Sequence, residues 1–278
     1  MTAALVTEFR KMATTRLWWI TTLLMLGYMA LMAVIMASSM VLGARQAEST
    51  GGADEGGGFG SATMALDPLS IANSVYTLSL ALGYIFPAML GALAVTAEFR
   101  HRTITPTLLA EPRRGLVLGA KMAAILPFSV VLALAGTLGT VLGGAATLAF
   151  MGEPTMLDDS GVQRTIVLSV VALTIWALVG VGFGSVLPNQ VAAIVVLLAF
   201  TQFVEPLLRL LLGQFDATAE VSKFLPGAAG EAIAGSSLYS SSGLAELLTA
   251  WQGALVLLGY AVVLGLIGRL TTFRRDIG

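Results

Sequence analysis

Along most of its length the chain is apolar without strand-like alternation, and short polar stretches divide it into six long runs. Leu17 to Leu42 carries no charge over 26 residues and opens on Trp18 and Trp19, aromatic side chains suited to interfacial depth. It exceeds the ~20 apolar residues that a helix needs to cross a bilayer core. Further runs follow at Pro68 to Ala97, Gly115 to Phe150, Arg164 to Leu187, Val191 to about Leu212, and Trp251 to Thr272. The pattern predicts an all-α integral membrane protein, one domain over 1–278 with six transmembrane helices. Pro87 is expected to kink the second span. Gly139 and Gly143 form a GxxxG pair in the third, which permits close helix approach.

Ahead of the first run, Leu5, Val6, Phe9 and Met12 recur at helical spacing among Glu8, Arg10, Lys11 and Arg16. Residues 1–16 therefore read as an amphipathic helix lying on the membrane surface. A secretory signal is the competing reading, but the apolar run is well beyond the about 7–15 residues such a signal uses.

The polar stretches differ in character. Residues 43–67 are Gly/Ser-rich, acidic and without periodicity, which predicts a flexible loop. Residues 151–163 form a short acidic loop, and Pro188-Asn189-Gln190 a minimal uncharged turn. Residues 214–250 are mixed, with Phe224-Leu225-Pro226-Gly227 as a breaker between two short helices. That segment reads as extracytoplasmic or re-entrant, and non-helical backbone is tolerated at membrane depth only where protein covers it. With the N-terminus inside, eleven of the fifteen basic residues fall on cytoplasmic segments and eleven of the sixteen acids on outer ones. Both termini are then cytoplasmic, in a multi-pass membrane protein.

Composition agrees: 56% of residues are hydrophobic and 11% charged, against about a quarter charged in soluble domains. With no cysteine, disulfides and thiolate chemistry are excluded. The only histidine, His101, lies in an inner loop, so no Ser–His dyad can form within the spans, and Gly182-Phe183-Gly184-Ser185 reads as a tight-packing stretch. No acid or histidine cluster has metal-ligand spacing. Gly115-x-x-x-Gly119-Ala-Lys121 is one residue short of a phosphate loop and lacks the following Ser/Thr. The chain is expected to bind no cofactor, to carry no catalytic residue and to contact no nucleic acid.

The most basic stretch is the inner loop Glu98 to Arg114, EFRHRTITPTLLAEPRR. Thr105 suits an N-cap, Pro106 the first helical position, and Pro112 a stop after Glu111. The expected helix, roughly 106–111, projects Leu108 and Leu109 between Arg100, Arg102, Arg113 and Arg114. An ordinary positive cytoplasmic loop accounts for the arginines but not for this punctuation. Within the fifth span, Glu205 and Arg209 share one helix face. Ionisable groups at such depth mark functional sites; the alternative is a break at Pro206, with the pair capping and snorkelling at the outer interface.

The loop TAEFRHRTITPTLLAEPRRGLVLGAK resembles the segment joining the second and third spans in the type-2 class of ABC transporter permeases, which includes drug- and antibiotic-efflux subunits. The matching positions are Glu98, Arg100, Arg102, Thr105, Leu108, Leu109, Pro112, Arg113 and Lys121. GVGFGSVLPNQVAAIVV is similar to that family's end of span four, polar turn and start of span five. The Gly-rich loop 43–67 departs from the family. The resemblance implies a permease dimer with two ABC ATPase subunits, which hold ATP and magnesium. It also implies that the inner-loop helix (Thr105, Pro106, Leu108, Leu109 and Glu111 among its residues) docks on the ATPase. The expected activity is export of an apolar or amphipathic substrate. The rival reading is a standalone six-span ion-coupled transporter, or a membrane signalling or scaffold protein.

Overall fold

The computed structural model describes residues 2–49, 67–213, 216–236 and 247–273. The Gly-rich residues 50–66 and the remaining parts of segments 214–250 and 271–278 lie outside these. Every element among the described residues is helical. Five helical stretches are long and apolar enough to cross a membrane, which makes this a multi-pass membrane protein.

Helix α1 (Thr2–Thr14) leads almost directly into α2 (Leu17–Ser49). Thus α2 runs past the composition break at Gly43, because Ala44 to Ala47 are tolerable helix formers and the glycine run starts only at Gly51. The second apolar run is three pieces, α3 (Pro68–Tyr76), α4 (Leu78–Ala81) and α5 (Ile85–Arg100). The expected kink at Pro87 is not what interrupts it. Pro87 sits in the first turn of α5, where its missing N–H is harmless, and the breaks fall earlier, at Thr77 and at Leu82 to Tyr84.

The short α6 (Ile104–Ala110) precedes α7 (Arg114–Phe150) and α8 (Ser160–Val186). Asp159 caps α8, its carboxylate accepting from the amides of Gly161 (2.8 Å) and Val162 (3.0 Å). Asn189 likewise caps α9 (Gln190–Ala199), accepting from Ala192 at 3.1 Å. A π-helical turn, Phe200–Val204, joins α9 to α10 (Glu205–Gly213). Pro206 cannot donate to a carbonyl four residues back, and the widened turn absorbs the defect without ending the span. Helices α11 (Asp216–Ser222), α12 (Pro226–Ala234) and α13 (Ala250–Leu270) follow.

α7 and α8 are the innermost of the five long stretches, while α2, α9–α10 and α13 keep apolar faces outward. Small residues set the spacing. A Cβ on Gly139 would come 2.6 Å from the Leu26 carbonyl, and one on Gly143 would strike that of Ala30, so the GxxxG pair seats α2 on α7. α5 and α8 run parallel, with Gly180 against Ala88 and Gly184 against Ala92.

One end of the bundle gathers α1, α6, the turn before α9 and the end of α13. Arg100 reaches Gln190 there at 3.4 Å, and Arg114 donates to the carbonyl of buried Phe273. The opposite end gathers the end of α2 and the residues after α7, where Arg45 meets Glu153 at 3.2 Å and Tyr76 donates to the Thr155 carbonyl at 2.7 Å.

Candidate functional site

The inner loop begins where α5 stops. Arg102 takes a left-handed conformation (φ 56°), the amide of Thr103 returns to the Glu98 carbonyl at 2.9 Å, and that of Arg102 to Phe99 at 3.3 Å. This pair of bonds satisfies the last carbonyls of α5 and reverses the chain. The helix that follows starts earlier than its sequence suggested: Thr103, not Thr105, is the flanking residue, and it makes no side-chain cap. Thr105 and Pro106 lie inside the first turn, which still has no use for the proline's N–H. The helix ends at Ala110, with Glu111 extended ahead of Pro112.

Its two leucines do different things. Ile104 is buried and Leu108, one turn on, packs half-buried on the main core, so together they form the inward face. Leu109 is 80% exposed and Thr105 and Pro106 are exposed beside it. Only Leu109, therefore, stands out as an apolar knob.

Beneath α6 lies a cluster of four charges, of which Glu8, Glu98 and Lys121 are buried and Lys11 is partly exposed. Lys121 on α7, 2% exposed, reaches Glu8 of α1 at 2.6 Å, Glu98 of α5 at 2.8 Å and the Ala94 carbonyl at 3.2 Å. Lys11 reaches Glu8 at 2.6 Å, Glu98 at 2.7 Å and the Thr107 hydroxyl of α6 at 3.2 Å. Two acids and two lysines balance, which lets Glu8, Glu98 and Lys121 stay charged out of water while Lys11 keeps part of its side chain at the surface. Burial pulls the Lys11 pKa down, but the hydrogen bonds and charges of Glu8 and Glu98 outweigh it and the pKa stands above its ordinary value. Glu98, expected on the docking face, thus points inward, and four elements meet at its side chain and that of Lys11.

On the rim, Arg113 grips both carboxylate oxygens of Glu111, at 2.8 and 3.1 Å. Its hydrogen bond holds the Glu111 carboxyl below the usual range and lifts the guanidinium above its own. Arg100, Arg102 and Arg113 remain exposed; Arg114 is turned to the C-terminal end of α13.

The second cluster lies near the opposite end. Arg209 meets Glu205 at 2.9 Å and also Glu231 of α12 at 2.9 Å. Glu205 is 1% and Arg209 7% exposed. The pair therefore lies inside the protein rather than snorkelling from it, and it has a third member. One Glu205 oxygen also accepts from the amides of Gly227 and, at 3.2 Å, Ala228, capping the first turn of α12. Gly227 carries no side chain because a Cβ would strike Arg209 and Glu205. All of α12 is buried against α4, α8 and α13. Above the triad, the Tyr84 ring lies 4.5 Å from that of Trp176, and its hydroxyl donates to the Thr201 carbonyl, in the π turn, at 2.8 Å.

Glu8, Lys11, Lys121 and Glu231 were not legible as partners. Their one local signal is an acid or lysine in an apolar stretch, as in Pro226–Ala234. Among the described residues no three metal-ligating side chains come together. No protein-family model matches the chain, and no curated protein does.

Proposed function

We propose that this chain is the membrane-spanning half of an ATP-driven exporter, a permease that works with a separate ABC ATPase. The observation that carries the reading is α6: a two-turn helix between α5 and α7, showing one bare leucine outward while Thr107 and Leu108 tie it to the buried structure beneath. Such a helix suits docking into a groove on a partner. Because Glu98 and Lys11 link it to α1, α5 and α7, a displacement of α6 is passed to three helices rather than absorbed in a loose loop.

In this reading the broken stretch α3–α5 is the sixth crossing, both termini are cytoplasmic in a bacterial plasma membrane, and two permease copies pair with two ATPase subunits that hold ATP and magnesium. The substrate class is apolar or amphipathic, reached from the cytoplasm or the bilayer. The chain itself hydrolyses nothing.

One observation favours a second reading, the ion-coupled transporter. A span carrying a π turn and a buried Glu–Arg–Glu triad is the kind of interrupted helix such carriers use for their coupling ion. Reconstituted transport separates the two: dependence on ATP and a co-purified ATPase supports the pump, and transport driven by an ion gradient without ATPase supports the carrier. For the pump, Leu109→Asp should leave expression and thermal stability unchanged, since the side chain touches little, yet lose the ATPase on co-purification. Stoichiometric ATPase retained by that variant would sink the docking role of α6.

A further inference from the structure

α1 is inverted relative to a surface helix of a soluble protein. Its inward face carries Glu8 and Lys11, used up in the four-charge cluster, and its outward face carries Leu5, Val6 and Phe9, all exposed. That outward face is not flat. Between α1 and α7 lies a cleft of about 390 Å³, walled by Leu5, Val6, Phe9 and Arg10 on one side and by Ala123, Ala124 and Pro127 on the other. The recess exists because the α7 wall is made of two alanines and a proline, a residue that cannot donate to the Ala123 carbonyl four positions back. The Phe9 ring also packs on that of buried Phe128, at 5.1 Å between centroids, and Trp18 packs on Phe128 at 5.6 Å. Arg10 is the one polar side chain on the cleft, and it makes no ion pair among the described residues.

We infer that this cleft is a binding site for one anionic phospholipid, an acyl chain lying along Ala123, Ala124 and Pro127 and the phosphate on the Arg10 guanidinium. Position and charge select this occupant. α1 joins the first long apolar helix within three residues, so the cleft opens at the depth where headgroups meet acyl chains. An apolar slot with a single cation at its mouth matches a lipid with one negative headgroup and leaves a zwitterionic one no counter-charge for its amine. A lipid seated there packs on the outward face of the helix whose inward face braces α6. The inference rests on the membrane character of the chain and stands whether or not the protein is a pump.

The test is native mass spectrometry of the purified full chain, titrated with phosphatidylglycerol or phosphatidylcholine of the same chain length, together with thermal unfolding in the same lipids. The wild-type protein should retain one phosphatidylglycerol in preference to phosphatidylcholine. Arg10→Gln should weaken that retention about fivefold, the weight of one basic residue at an anionic surface. Ala123→Leu, which fills a half-buried part of the wall, should abolish it without lowering the lipid-free unfolding temperature. Equal retention of the two lipids overturns the site. So does a loss seen with Arg10→Gln while Ala123→Leu still binds, which is diffuse surface attraction. Leu5→Cys chains that cross-link to each other as the native assembly give the cleft to a second copy and overturn it too.

Discussion

Arg209 holds two carboxylates at once, so removing it strands two buried negative charges where removing either acid strands one. Breaking a buried ion pair costs about 3–5 kcal/mol because the remaining charge is left uncompensated. Arg209→Gln should therefore lower the unfolding temperature most. Glu205→Gln should follow, since Glu205 also caps α12, and Glu231→Gln should cost least; the pair Glu205→Gln with Arg209→Gln should recover part of the loss. Identical thermal unfolding for all of them would mean the cluster is wet. Lys11 sets a different expectation. Its folded pKa is raised, so the stability it contributes is fully present below the unfolded value of 10.5 and is lost as pH rises through the higher folded value. The protection of α1 amides, taken as exchange relative to the intrinsic rate at each pH, should stay flat through the neutral range and fall only above pH 10.5, whereas Lys11→Met should lower it throughout. Protection that already falls near neutrality in the wild type would remove Lys11 from the anchoring of α1.

Between helices, glycine positions decide how close two backbones come. Gly180 lies on the Ala88 backbone, so Gly180→Ala should cost about 2 kcal/mol by overpacking, read as a drop in unfolding temperature. Gly259 on α13 has nothing within 4 Å, and Gly259→Ala should be neutral or gain up to about 1 kcal/mol of helix propensity. If both behave alike, the α5–α8 seam is not set by small residues. The GxxxG at Gly139 and Gly143 could be read ahead of the structure because its spacing is local. Gly180 could not, because its meaning comes from Ala88, 92 positions away. The same limit governs the site. Pro106 and Pro112 announced a short helix between the second and third runs. Its first residue and the burial of Leu108 depend on Thr103 following a left-handed Arg102, and on the core beneath, which no local pattern encodes.

At the scale of the molecule, the ends of the bundle fix its topology. Arg100–Gln190, Arg114–Phe273 and Lys11–Glu98 all gather at one end, and Arg45–Glu153 at the other. The chain has no native cysteine, so single cysteines report cleanly. Thr103→Cys, on one end, should resist an impermeant thiol reagent in intact cells, and Ser160→Cys, on the other, should react. The opposite result inverts the orientation and places α6 outside, beyond reach of any cytoplasmic ATPase. The four-charge cluster also has a history in time. Glu8 and Lys121 lie 113 positions apart. At the ~5–20 residues per second of synthesis, roughly ten seconds separate their emergence from the ribosome. During that interval Glu8 has only Lys11 for company, and its final partner does not yet exist. Before Lys121 is made, Lys11 can tie α1 only to Glu98 and Thr107, which emerge earlier. Arrival of α7, the second long helix, is then the moment at which Glu8 gains its buried partner and the cluster closes.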